Sequence, residues 1–156
     1  VPEPIRRTTA RVVPVSPEGA CLLLLERDPS RADEPYWGTI GGAANPGETL
    51  PDAAVRELCE ETGIVVDAAD LTPPFHQRVT EFSWNGVHYL ADSTVFALSL
   101  RPDRTITFEH LEPEEIGNVL EARWLTPQQA ALDGRLMWPD LPEVLSSAVE
   151  AAGGGR

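Results

Sequence analysis

Residues 42 to 64 read GAANPGETLPDAAVRELCEETGI, a helix-forming stretch between glycines that carries four glutamates and one arginine. Thr49 is suited to be an N-cap, with Pro51 in the first turn and Asp52 three residues after the cap, so a helix is predicted from about Leu50. Gly63 is suited to the left-handed position that ends it at about Thr62. At about 100° per residue, with Glu57 at zero, Glu60 falls near −60° and Glu61 near +40°, while Val55, Leu58, Cys59 and Thr62 lie between about 100° and 200°. The predicted helix gathers its acids on one face and its apolar residues on the other.

Those acids break two local rules. A helix C-terminus carries partial negative charge and favours basic residues, yet this one ends in Glu60 and Glu61. Glu57 and Glu61 are a like-charge i,i+4 pair, which destabilises a helix by about 0.2–0.5 kcal/mol. A divalent cation would turn the repulsion into shared ligation, because hard cations such as Mg²⁺ take carboxylate oxygens and leave room for substrate phosphate. A solvated acidic face is the alternative reading of the same acids.

The wider spacing is Gly42, five residues, Glu48, seven residues, Arg56-Glu57-Leu58, one residue, Glu60-Glu61, one residue, Gly63-Ile64. This pattern resembles the Nudix box at each of its fixed positions. The resemblance implies a Nudix hydrolase over most of residues 8 to 150, with an α/β/α sandwich built on a mixed central sheet. It implies a metal-dependent enzyme that cleaves the pyrophosphate linkage of a nucleoside diphosphate joined to another moiety, such as a nucleoside triphosphate or a nucleotide sugar. Glu57, Glu60 and Glu61 would be catalytic together with Arg56, and the three glutamates would hold Mg²⁺, or Mn²⁺ in its place. Arg56, which can fork onto a carboxylate, would brace the loop against the helix through Glu48. Gly41 and Gly42 allow close backbone approach, which suits a loop folded around phosphate or metal. One departure is Ile40, where relatives commonly place proline before the glycine pair.

Other candidates lie outside the box. Arg27 ends the run LLLLER, where Nudix relatives often carry a cation that contacts substrate; a surface arginine at a strand end is the other reading. Among Glu109, Glu112, Glu114, Glu115 and Glu121, Glu115 is the first choice for a further metal ligand or general base and Glu114 the second. The base stays open between Glu57 and an acid of this loop. Trp37, Phe82, Trp84 and Tyr89 are candidates for stacking on a base or for the core. His76 is either a base or a strand residue.

The 156 residues predict one domain, 1–156, with a flexible tail over 153–156. A net charge of −13 excludes long nucleic acid as the natural partner and points to a small nucleotide reaching the acids through metal. All twelve basic residues are arginine, which excludes P-loop, Schiff-base and Ser-Lys chemistry. Cys21 and Cys59 are too few for a four-cysteine zinc site and read as reduced core residues. No apolar run approaches membrane-spanning length and Val1 to Ala20 lacks a signal-peptide core, so no membrane association and a cytoplasmic location are expected. A non-catalytic nucleotide-sensing module is the alternative to an enzyme; a structural calcium site is weaker, since the D-x-D-x-D-G loop is absent. The oligomeric state is open, with a homodimer frequent in the family.

Strands are predicted over 8–15, 20–27, 75–84 and about 87–100, the last two joined by Asn85-Gly86, and helices after Thr126 and over 141–152.

Overall fold

The computed structural model describes residues 3–153. A long first strand, β1 (Ile5–Val15), turns at Ser16 to Ala20 into β2 (Cys21–Glu26). Two short strands, β3 (Tyr36–Gly38) and β4 (Ile40–Ala43), lead to the helix α1 (Leu50–Thr62). A hairpin of β5 (His76–Trp84) and β6 (Val87–Ser99) follows, then β7 (Val119–Leu125), α2 (Pro127–Asp133) and α3 (Leu141–Gly153). The central sheet is mixed: β1 runs parallel to β6 along its whole length, from Ile5 opposite Tyr89 to Val15 opposite Ser99, and the other pairs are antiparallel.

The sheet forks at β1. Val15 pairs with Cys21 of β2 at the turn, but Thr9 to Val12 pair instead with Ile40 to Ala43 of β4. β2 meanwhile continues between β3 and β7. The strand ends therefore splay apart, and side chains in the fork are left facing a gap.

Strand alternation assigns the core to two layers. Val12, Leu22, Leu24 and Ile40 pack against Ala53, Ala54 and Leu58 of α1. Val13, Val15, Leu23 and Ala97 pack on the opposite face against Leu141, Val144 and Leu145 of α3. The unbroken LLLL of β2 follows from this, because a strand covered on both faces has no polar side. The architecture is an α/β/α sandwich.

α1 is capped as its sequence predicts. Thr49 Oγ1 accepts the Asp52 N–H at 3.2 Å, and the Gly63 N–H, at φ 77°, donates to Cys59 O at 2.8 Å. Its orientation differs from the expected split of faces. The buried arc is Ala53, Ala54, Glu57, Leu58, Glu61 and Thr62, so two acids face inward, whereas Val55 and Cys59 are only half-buried. Cys59 is thus no core residue, though neither cysteine is paired, and burial pushes the Cys21 thiol up to about 12. A second difference concerns Gly41 and Gly42, which lie in β4 and not in a loop. Short strands bearing glycine have no propensity signal, and only pairing with β1 makes them strands.

The β5–β6 hairpin closes through Asn85 (φ 49°) and Gly86 (φ 80°), the turn that matches strand twist. Its tip is tied down by Asp28, which accepts hydrogen bonds from the Asn85 N–H at 2.8 Å and from the Ser30 N–H and hydroxyl at 2.9 Å. Gly153 ends α3, and the rest of the expected tail, 154–156, lies outside the described residues. No helix among the described residues is long and apolar enough to cross a membrane.

Candidate active site

Two backbone positions of β4 seat the acids of α1. The Gly41 N–H donates to Glu61 Oε2 at 3.1 Å. A Cβ on Gly42 would stand 2.7 Å from Glu57 Oε1, so glycine is what lets that carboxylate lie against the strand. A Cβ on Gly41 would meet Ala10 O and Arg11 Cγ, each at 2.5 Å. The helix acids are therefore packed on bare backbone, with Glu57 7% and Glu61 1% exposed.

Glu115, from the turn before β7, completes a cluster: one carboxylate oxygen each from Glu57, Glu61 and Glu115 lies within 4.8 Å of the others. Burial, then repulsion from Glu60, pushes the Glu57 carboxyl up to about 7 despite Arg56. Glu61 is raised well above the usual range, first by burial and then by Glu26, Glu57 and Glu115. Burial is also the main cause that raises Glu115. Glu61 Oε1 is buried without any hydrogen-bond partner. An orphaned buried carboxylate oxygen beside two further carboxylates is a costly arrangement unless a cation shares it. An all-oxygen, anionic donor set of this kind fits a hard divalent cation.

Arg56 organises the flank. Its Nε and Nη2 fork onto Glu48 at 2.9 and 3.0 Å, and Nη2 also donates to Ala43 O at 2.9 Å. Its Nη1 reaches Glu57 Oε1 and both oxygens of Glu60, each at 3.1 Å. Glu48 accepts in turn the Asn45 N–H at 2.9 Å, and the arginine's hydrogen bonds hold its carboxyl below the usual range. The segment 43–48 is thereby bound to α1, and Glu60 is engaged by Arg56 at the edge of the three-carboxylate cluster.

The acids open into a cavity of about 1150 Å³ occupying the fork of the sheet. Three of its lining residues, Arg11, Glu26 and Tyr36, have no motif in the sequence. The alternation in LLLLER could have found Glu26: Leu22 and Leu24 face α1, and two residues further the same side of β2 meets the acids. Burial pushes the Glu26 carboxyl up to about 7, with Arg11 opposing and Glu115 and Glu57 adding to the rise. Arg27 points elsewhere. Its Nε donates to Asn118 Oδ1 at 3.4 Å, and it does not line the cavity.

The far wall is the β5–β6 hairpin, which lines the cavity from Thr80 to Asn85 and again from Val87 to Tyr89. Phe82 and Tyr89 stack with centroids 5.2 Å apart and planes at 20°, Arg7 lies 4.2 Å over Tyr89, and Trp84 continues the row. Trp37, by contrast, is fully buried in the core. His76 lies 6.1 Å from the Trp138 ring, outside the cavity lining, and burial, then Arg78, holds its pKa below the usual value. Glu112 and Glu114 reach the cavity rim, while Glu121 pairs with Arg123.

A family model described as the NUDIX domain matches residues 5–145. The chain belongs to the Nudix family. Its curated relatives include the dihydroneopterin triphosphate diphosphatase of Escherichia coli K12, 38% identical over 100 residues, which span 58% of this chain and 64% of that enzyme. A putative 8-oxo-dGTP diphosphatase of Bacillus subtilis is 43% identical over 51 residues, covering 30% of this chain and 34% of that protein. Among solved structures, the E. coli dihydroneopterin triphosphate pyrophosphohydrolase is 26% identical, covers 94% of this chain and 95% of its own, and superposes with a TM-score of 0.61. A MutT protein from Methanosarcina mazei Go1 shares the fold, with a TM-score of 0.65, 21% identity, and coverage of 94% of this chain and 96% of its own.

Proposed function

We propose that this chain, by family a Nudix-type pyrophosphohydrolase, hydrolyses the pyrophosphate linkage of a nucleoside triphosphate or a similar triphosphate bearing a ring system. The observation that carries the reading is the cluster of buried Glu57 and Glu61 with half-buried Glu115, with one orphaned oxygen, at the floor of a cavity whose far wall is aromatic. The two diphosphatase relatives act, by name, on dihydroneopterin triphosphate and 8-oxo-dGTP, and triphosphate is the feature those names share.

Glu57, Glu61 and Glu115 would hold the Mg²⁺ or Mn²⁺ that the family uses, with Glu60 tied to Glu57 through Arg56. Such an ion neutralises diphosphate charge and lowers the pKa of a bound water. The remaining work falls to the chain itself. Arg56, shared between Glu57 and Glu60, keeps those carboxylates from swinging away, and the Gly41 N–H does the same for Glu61. Glu115, outside the Arg56 network, takes the proton of the attacking water on its carboxylate. The water oxygen bonds to phosphorus as the bridging P–O bond breaks, releasing a monophosphate and pyrophosphate. Phe82 and Tyr89 receive the ring of the substrate.

Release of pyrophosphate and monophosphate should be measured over nucleoside triphosphates, nucleotide sugars and dinucleotides, with Mg²⁺, with Mn²⁺ and with EDTA. Cleavage of triphosphates that EDTA abolishes is expected. Cleavage confined to nucleotide sugars or dinucleotides would overturn the triphosphate reading. Metal-dependent thermal stabilisation by a nucleotide with no product would establish a sensing module.

A further inference from the structure

Arg11 is only partly engaged by its neighbours, with the Trp138 ring centroid 5.9 Å from its guanidinium carbon. It projects from β1 beside the fork, opposite Gly41 in register, and lines the cavity. Its Nη1 is anchored on Thr39, donating to the carbonyl at 3.0 Å and to Oγ1 at 3.3 Å, and Thr39 is fully buried. Nε is buried without a partner. Nη2 makes no hydrogen bond among the described residues and is not among the buried atoms, so it opens to the cavity. No carboxylate among the described residues lies within ion-pair distance, although Glu26, Glu57 and Glu61 line the same space. A guanidinium fixed on one side, stripped of water at Nε and open on the other is prepared for an acceptor that the protein does not supply.

Its surroundings narrow the acceptor. Gly41, its register partner, donates to Glu61, so Arg11 is one strand from the carboxylate cluster. Arg7 stands four residues earlier on β1, about 13 Å away at the strand rise, stacked on Tyr89 of the aromatic wall. The other cavity arginines are differently committed, since Arg56 is spent on Glu48, Glu57 and Glu60, while Arg7 and Arg31 are exposed. The order along the cavity is thus carboxylates, Arg11, then the aromatic platform.

We propose that Arg11 is the specificity-determining cation of this site, its open Nη2 binding a non-bridging oxygen of the phosphate chain next to the carboxylate cluster. The inference rests on the pyrophosphohydrolase reading. It makes Arg11, and not Arg27, the arginine by which the cavity selects a polyphosphate. A lysine cannot replace it fully, because Thr39 and the phosphate need separate nitrogens of one planar group.

The test is calorimetric titration with imidodiphosphate, a non-hydrolysable pyrophosphate analogue, in the presence of Mg²⁺, with Mn²⁺ binding alone measured separately. Arg11→Gln should weaken imidodiphosphate binding at least tenfold and Arg11→Lys by a smaller factor. Mn²⁺ affinity should be unchanged or tighter, because a neighbouring positive charge is lost. Arg101→Gln, at an exposed site away from the cavity, should match the parent chain. Parent-like imidodiphosphate binding by Arg11→Gln overturns the proposal, and so does an equal loss of Mn²⁺ binding, which would make Arg11 a structural prop of the cluster. If Arg11→Gln fails to fold, Arg11→Lys decides, since parent-like binding by that variant also rules out the two-sided grip. A parent chain that binds imidodiphosphate with metal but cleaves no nucleotide removes the enzymatic reading alone; one that cleaves triphosphates but binds no imidodiphosphate removes the Arg11 proposal alone.

Discussion

The two walls of the cavity are built in opposite ways. On the α1 side the four glutamates of the box are constrained: Glu48 and Glu60 by Arg56, Glu61 by the Gly41 N–H, and Glu57 by Arg56 and by contact with Gly42. On the hairpin side, Phe82 and Trp84 of the edge strand β5 and Tyr89 of β6 are half-exposed rings, Tyr89 stacked on Phe82 and covered by Arg7, and the tip is tied by Asp28. Charge concentrated in a buried place needs exact partners, because small displacements change electrostatic energy steeply. A stacking surface needs only area and orientation, and it tolerates ligand variety because every base has a π-face. The braced wall is therefore the place for chemistry and the hairpin the place for recognition.

That contrast can be broken first at Glu61. Glu61→Gln keeps an oxygen for the Gly41 N–H but removes the charge, and kcat should fall by about 10²- to 10³-fold or more, the range for losing a preorganised electrostatic group. Its folded pKa is raised, so the charge on Glu61 costs stability as pH rises above the usual carboxylate range. The variant should then melt no lower than the parent at pH 8 in EDTA, while losing the rise in melting temperature that Mn²⁺ gives the parent. Retained turnover would remove Glu61 from the site.

Gly42→Ala tests the same wall by crowding. Gly42 is not in a positive-φ conformation, so alanine strains no backbone angle, but its Cβ would press on Glu57 at 2.7 Å. Displacing that carboxylate by about 1 Å should lower kcat about 10²-fold. Steady-state kinetics beside a melting curve separates this from unfolding.

On the recognition wall, Phe82→Ala should raise KM about tenfold and leave kcat nearly unchanged, the signature of losing binding that is uniform along the reaction. An equal fall in kcat would bring the hairpin into the chemistry and dissolve the contrast.

The smallest effect concerns the tie between the walls. Burial alone would raise the Asp28 pKa, but hydrogen bonds from the Ser30 and Asn85 backbone, with the Ser30 hydroxyl, bring it below its ordinary 3.8. The stabilisation is thus complete above that value and is lost as pH falls through the lower folded pKa. Asp28→Asn should cost about 1 kcal/mol at pH 7, and the gap from the parent should narrow as pH falls below 3.8, as read from denaturant titrations at several pH values.

What was legible beforehand follows the range of the forces involved. The span of α1, Leu50–Thr62, is written in Thr49, Pro51 and Gly63, whose effects act within one turn. The hairpin is written in Asn85-Gly86 between strand-forming runs. The strands β3, β4 and β7 were not legible, since the first two are only three and four residues long and owe their strand character to distant partners. Glu115 could be nominated from its loop, but what distinguishes it from Glu112 and Glu114 is its place in the cluster, a property of tertiary packing.

The amino-acid order by itself determined the family, the capped acidic helix and the identity of the box residues, because these are encoded in spacings of a few residues. Only the tertiary structure decided which way that helix faces, turning Glu57 and Glu61 inward on Gly42 and Gly41, and which residues enter the fork of the sheet. Arg11 and Thr39 are 28 residues apart in the chain, and Glu26 meets the helix acids across some thirty more. Their meeting follows from β1 leaving β2 for β4, and no local periodicity encodes that exchange of partners.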